Sequence, residues 1–191
     1  MHSGKIVECV CSFANVPGFS GKMHAINPQR QLSAADSIDN LFKLSMLEIP
    51  KLIEPALREA GWNGPKSLAP PGKTPASAYA IANQIVDEFG GLTVGTCGSG
   101  TEMASSDVRF YEHLRCGLFQ AWAEHIGEVV AFASAHHEHM ILSVGTDGTY
   151  YVFTDPDGQL YQGPQNFGEL MRRLLCGYSY GATISKDAYQ V

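Results

Sequence analysis

The fold is decided by residues 129–162, which read VVAFASAHHEHMILSVGTDGTYYVFTDPDGQLYQ. This stretch contains short apolar segments of the length and composition typical of β-strands, and polar turn residues separate them. The segments run from Val129 to Ser134, His139 to Val144, Tyr150 to Thr154 and Gln159 to Gln162. The Asp-Gly pair at 147–148 and the Asp-Pro-Asp-Gly run at 155–158 are strong turn signals. The stretch therefore predicts an antiparallel meander.

Helical spacing of apolar residues precedes the meander. It begins at Asp36, is interrupted at Pro50 and ends at Gly61. A second helix is predicted to start at Pro75, with Thr74 as its N-cap. Its buried side is predicted to be Tyr79, Ala82, Ile85, Val86 and Phe89.

Further elements lie between this helix and the meander, and one follows it. Short strands are predicted at 92–94 and 108–110, and a helix over about 112–125 with Leu114, Leu118, Phe119 and Trp122 inward. A last helix is predicted to begin after Asn166, with Glu169 as reciprocal capping partner, and to end at Gly177. This order predicts an α+β fold: a single mixed, mainly antiparallel sheet flanked by helices. We assign residues 36–185 to this domain and residues 1–35 to an N-terminal arm.

Composition narrows the function. The 191 residues include 13 basic and 19 acidic side chains, for a net charge of −6, which argues against nucleic acid as a direct partner. Such a field favours a basic protein partner. No apolar run approaches the length that spans a bilayer, and the first residues make a poor secretory signal. The five cysteines are odd in number and scattered, which argues against a disulfide framework and favours a reducing compartment. We therefore expect a cytoplasmic protein.

The run His136-His137-Glu138-His139 has residue types that bind metals. On a strand, His137 and His139 would point the same way and could provide two zinc ligands, with Cys97 or His113 completing the set. A hairpin loop that tolerates polar residues explains the run equally well. We assign no metal or other cofactor from sequence.

Cys97 lies in the glycine-rich loop 95–101 and could act as a nucleophile with His113 or His125 as base. The loop has neither the lysine of a phosphate-binding loop nor the G-x-S-x-G frame of a hydrolase, so a flexible connection is the alternative. The aspartates of the meander turns are placed to hydrogen-bond the turn backbone. Trp62 and Trp122 are expected to be core residues. Without a complete catalytic set, the chain is interpreted as a binding module and not an enzyme.

Several segments together resemble the third subfamily of the SUKH superfamily. Residues 57–62 (LREAGW) are similar to its L-x-x-A-G-W opening, and residues 85–92 (IVDEFGGL) to its F-L-x-E-F-G-G-L segment. Residues 125–128 resemble its I-G step, 157–161 its D-x-x-G-x-V-Y strand entry, and 167–175 its closing helix. The resemblance covers about Ile49 to Cys176.

The resemblance implies an immunity protein of a bacterial polymorphic toxin system, without enzymatic activity, that binds and neutralises a cognate toxin. Such toxins are commonly nucleases or deaminases. Two alternatives are a regulatory protein-interaction scaffold module and, less favoured, a Cys- or metal-dependent hydrolase. Because acidic loops speed the capture of a basic partner, we predict a partner-binding surface made of loop carboxylates. These are Glu102, Glu138, Asp147, Asp155 and Asp157.

Overall fold

A computed structural model describes residues 47–66, 77–115, 122–155 and 157–185, all within the compact unit Ala34–Val191. The predicted arm at 1–35 and the first part of the predicted helical segment, 36–46, lie outside the described residues. No helix in the described ranges is long and apolar enough to cross a membrane.

Seven strands form one sheet, in which each strand pairs antiparallel with the next along the chain. The strands are β1 (Thr93–Val94), β2 (Val108–Arg115), β3 (Val129–Ala135), β4 (Met140–Gly145), β5 (Tyr150–Thr154), β6 (Gln159–Gln162) and β7 (Ala182–Ile184). The predicted α+β fold with its meander is confirmed, and β5 and β6 have the predicted bounds.

The predicted helix over 112–125 is wrong in its first part, because residues 112–115 continue β2. The register explains this result: Phe110 pairs with Ala133 and, after a register shift, Arg115 pairs with Ala131, so β2 continues along β3. Strand pairing therefore overrides the local helical spacing. The end of the predicted helix is observed as the four-residue helix α3 (Ala123–Ile126). Leu118 and Phe119 lie outside the described residues. Strand β7 was not predicted.

Helix α1 (Glu54–Glu59) is short, and helix α2 (Ala78–Phe89) begins later than predicted. The N-cap of α2 is Ser77, whose hydroxyl accepts a hydrogen bond from Ala80 N at 3.1 Å, and not Thr74. This shift leaves Tyr79 half exposed, contrary to the predicted buried side, whereas Ala78 and Glu88 are buried.

Helix α4 (Phe167–Cys176) is capped by Asn166, as predicted, and ends where Gly177 takes a left-handed conformation (φ 66°). The Asn166 side chain accepts from Glu169 N at 2.9 Å. The predicted reciprocal hydrogen bond from Asn166 N to the Glu169 carboxylate is not formed. Its carboxylate instead binds Arg172 at 2.7 Å and Arg173 at 2.9 Å, one helical turn further on.

The main core lies between one face of the sheet and helices α1, α2 and α4. The Phe89 ring stacks on Phe110 (5.1 Å between centroids) and on Phe167 (5.2 Å), and lies 5.9 Å from Trp62. The Trp62 indole donates to the buried Glu88 carboxylate, so burial leaves neither group without a partner. Trp122 is buried in a second, smaller cluster with Ala131, Tyr151 and Leu160. The predicted core role of both tryptophans is confirmed.

Candidate functional site

An antiparallel meander places alternate connections at the same end of the sheet. The β1–β2 loop (95–107), the β3–β4 turn (136–139) and the β5–β6 turn (155–158) therefore meet at one end, which we call the loop end. The β4–β5 turn (146–149) lies at the opposite end. Strands of five or six residues, about 17–20 Å, separate the two.

The β1–β2 loop is tied to the end of α4. Thr101 N donates to Cys176 O at 2.9 Å and Glu102 N to Gly177 O at 2.7 Å. The Glu102 carboxylate accepts from Ser179 N at 2.9 Å. These bonds fix the position of Glu102. The glycine-rich part of this loop, expected to be a flexible connection, is therefore hydrogen-bonded to the end of α4.

The β3–β4 turn has an unusual backbone. His136, His137 and Glu138 have φ values of 51°, 55° and 69°, a left-handed conformation that costs about 1–2 kcal/mol for each residue other than glycine. Asp107 holds the turn through both its backbone and its side chain. Its carbonyl accepts from His136 N at 3.0 Å, and its Oδ1 accepts from His137 N at 2.8 Å. Of the two predictions for this run, the hairpin loop is confirmed and the strand with His137 and His139 on one side is wrong.

Asp107 also joins this turn to Cys97. The Cys97 thiol lies 3.0 Å from Asp107 Oδ1 and its sulfur 3.6 Å from His136 Nδ1. His137 Nδ1 is 3.8 Å from Asp107 Oδ1. Two bases were suggested from sequence. His113 lies five residues along β2 from Val108, towards the other end of the sheet, and His125 lies in α3.

The electrostatics of this cluster keep the thiol protonated. Burial and the hydrogen bond to Asp107 raise the pKa of Cys97. Burial alone would raise the pKa of Asp107, but the hydrogen bonds from Cys97 and from His137 N outweigh it and lower that pKa. A nucleophilic cysteine needs the opposite arrangement, in which the thiolate is stabilised. The geometry does not favour the hydrolase alternative.

Negative charge accumulates at the loop end. Its three connections contain five carboxylates and neither lysine nor arginine. Arg109, in β2, forms an exposed ion pair with Glu138 at 2.6 Å, and both residues line a groove of about 460 Å³ with Thr93, Ser134 and His137. An exposed pair of this kind contributes at most about 1 kcal/mol, so Glu138 remains available to another cation.

Four of the five predicted partner-binding carboxylates, Glu102, Glu138, Asp155 and Asp157, lie at the loop end. Asp147 lies in the β4–β5 turn at the opposite end, where it accepts from Thr149 N at 2.9 Å and from the Thr149 hydroxyl. The Thr149 N–H lowers the pKa of Asp147. The Asp157 carboxylate accepts from the Thr154 hydroxyl within its own turn. Asp155 is exposed, and its N–H donates to His139 O at 2.8 Å.

Asp107 and Arg109 are the site residues that sequence reasoning missed. Asp107 is separated from His137 by 30 residues, and neither spacing nor composition brings them together before the sheet register is known. The only signal in the sequence was that these two charged residues flank Val108, the first residue of β2.

The described residues thus form a single antiparallel sheet flanked by helices, with a loop end rich in carboxylates. The model of the SUKH-3 immunity protein family matches residues 49–177, about two thirds of the chain. The chain therefore belongs to the SUKH-3 immunity protein family. No curated protein and no solved structure matches it.

Proposed function

We propose that this chain is a cytoplasmic immunity protein that binds and neutralises a cognate polymorphic toxin of a bacterium. The observation that carries the proposal is the family match over 49–177. We further propose that the toxin is a nuclease or a deaminase. Enzymes that bind nucleic acid present basic surfaces, and this chain carries a net charge of −6.

The loop end is the surface we propose for the toxin. Glu138 and Asp155 are exposed there, and Glu102 is held in place by Ser179 N. Opposite charges steer two proteins together and raise the association rate by about 10–10³-fold at low salt. Fast capture is useful to an immunity protein, because the toxin acts until it is bound. The supporting observation is the concentration of carboxylates in three neighbouring connections.

The test is the association rate with the toxin encoded beside the gene, measured by stopped flow over a range of salt concentrations. A triple variant, Glu102→Gln, Glu138→Gln and Asp155→Asn, removes three charges. It retains an amide oxygen that can accept from Ser179 N. The matched control is Asp147→Asn, which makes the same chemical change at the opposite end of the sheet.

We expect the wild-type rate to fall at least about tenfold between low and high salt. The triple variant should associate several-fold more slowly at low salt, and the Asp147→Asn control at the wild-type rate. A salt-independent rate would rule out steering by this surface. If the control slows association as much as the triple variant, the toxin contacts the other end of the sheet. Absence of any binding or growth protection would overturn the immunity function itself.

The proposal also predicts that protection needs no chemical step. Cys97→Ala and His137→Ala should leave growth protection largely intact, since the raised pKa of Cys97 disfavours a nucleophilic thiolate. Loss of a measurable turnover in either variant would favour the hydrolase alternative.

A further inference from the structure

We propose that the loop end binds one zinc ion through four side chains, those of Cys97, Asp107, His136 and His137. The proposal does not depend on toxin binding, because it concerns a site within the chain itself. It differs from the strand arrangement considered in sequence analysis, since His139 and His113 are not part of it.

The distances between the ligand atoms suit a tetrahedral ion. With zinc–sulfur bonds of about 2.3 Å and bonds of about 2.05 Å to nitrogen or oxygen, neighbouring ligand atoms lie about 3.3–3.6 Å apart. Cys97 Sγ is 3.6 Å from His136 Nδ1, and Asp107 Oδ1 is 3.8 Å from His137 Nδ1. One ligand atom each from Cys97, Asp107 and His137 lie within 4.8 Å of one another. The fourth ligand, His136, lies outside this group of three residues and meets it through the contact of its Nδ1 with Cys97 Sγ.

The chemistry of the four atoms selects zinc over the common alkaline-earth ions. A sulfur and two imidazole nitrogens are ligands that zinc prefers, whereas calcium and magnesium require oxygen. Cys97 Sγ is already 3.0 Å from Asp107 Oδ1. Zinc would replace the thiol proton between them, so binding releases that proton to solvent and leaves a thiolate on the metal.

The backbone places the two imidazoles where the site needs them. Adjacent residues of a strand point to opposite faces, but the left-handed turn at 136–138 lets the His136 ring approach Cys97 and the His137 ring approach Asp107. His136 Nδ1 also lies 3.3 Å from the hydroxyl of the buried Ser106. Cys97, Asp107 and His136 are partly buried, and the exposed His137 leaves an open path for the ion. The bound ion would link the β1–β2 loop, the start of β2 and the β3–β4 turn.

The experiment titrates the full-length chain, stripped of metal and kept reduced, with Zn²⁺ in competition with a chromogenic chelator. We expect one zinc ion bound in a manner that requires Cys97. Cys97→Ser and Asp107→Asn should each weaken zinc binding by at least about 100-fold, since loss of even an outer-sphere partner costs about 10–100-fold. Asp107→Asn keeps an oxygen that can accept from His137 N, so it tests the charge with the turn retained.

Three controls test three of the other thiols and the neighbouring imidazole. Cys176→Ser changes the other described free cysteine, His139→Ala the neighbouring histidine of the turn, and Cys9→Ser/Cys11→Ser the closest cysteine pair in the sequence. All three should bind zinc like the wild type. Co²⁺ should give a thiolate-to-metal charge-transfer band that is present in these controls and absent in Cys97→Ser.

Unfolding temperatures measured with chelator show whether each variant is folded. If Cys97→Ser is folded and binds zinc as tightly as the wild type, the site is elsewhere and the proposal is wrong. It is also wrong if the reduced wild-type chain binds no zinc. Neither result affects the proposed immunity function, which the protection assay tests separately.

Discussion

The aromatic core and the loop end share strand β2 but are stabilised in different ways. In the core, Phe110 packs among fully apolar rings whose burial requires no special backbone. At the loop end, Asp107 holds three residues in a left-handed turn and a thiol in place through hydrogen bonds. The core thus gains stability from desolvated area, whereas the loop end retains strain and polar groups that are suited to binding.

The largest effect should come from breaking the core at its centre. Phe89 is fully buried against three aromatic rings, so we expect Phe89→Ala to cost about 3–5 kcal/mol in the free energy of unfolding. Urea denaturation measures this change. Tyr79→Ala is the matched control on the same helix, because Tyr79 is half exposed, and it should cost less than about 1 kcal/mol. Equal losses in the two variants would show that the buried side of α2 is misassigned.

The next largest effect concerns the junction between α2 and β1. Gly91 has a φ of 81°, and a Cβ on Gly90 would lie 2.5 Å from Val86 O. We expect Gly91→Val and Gly90→Val each to cost at least about 2 kcal/mol, the first through backbone strain and the second through collision. Gly98→Ala, at the loop end, is the control, since its nearest neighbour would be 3.7 Å away. Denaturation that is unchanged in both valine variants would contradict this description of the junction.

The two regions also differ in how much the sequence could reveal. The spacing of apolar residues and the turn residues between them predicted β5, β6, the Asn166 cap and most of the core, because each of these signals lies within a few residues. Local spacing was misleading at 112–115, where pairing with β3 makes a strand, and at the start of α2. The contact of Cys97 with Asp107 and His136 depends on the register of three strands. It was therefore beyond any local pattern.

The exposed side of α4 should give a smaller, pH-dependent effect. Hydrogen bonds from Arg172, and then Arg173, lower the pKa of Glu169 from 4.5 to about 2 despite partial burial. Since the folded-state pKa is depressed, this stabilisation is complete above about pH 4.5 and is lost as the pH falls towards 2. We expect these ion pairs to contribute about 1 kcal/mol to the free energy of unfolding, because solvent screens the partly exposed charges.

Glu169→Gln is the variant that isolates this contribution. Urea unfolding of both proteins at several pH values should show a stability difference of about 1 kcal/mol near neutrality that disappears in acid. Asp147, whose pKa is also lowered, titrates in the same direction in both proteins and cancels in the difference. A difference that is constant with pH would mean that the loss arises from packing and not from the ion pairs.

The smallest effect tests the strain of the loop end directly, and we expect it to be a gain. His137 has a φ of 55° and a mostly exposed side chain, so little packing is lost in His137→Gly. Its N–H still donates to Asp107 Oδ1. Relief of about 1–2 kcal/mol of strain, minus about 0.5–1 kcal/mol for the greater freedom of glycine when unfolded, predicts a gain of about 0.5–1 kcal/mol with chelator present. His137→Ala retains a Cβ and the strain, and it should show no such gain.

With Zn²⁺ present, the wild type should instead be more stable than His137→Gly, because zinc binding stabilises the folded wild type and both variants lack the His137 ligand. A His137→Gly protein less stable than His137→Ala in chelator would show that the turn is not strained, and the contrast between core and loop end would then rest on polarity alone.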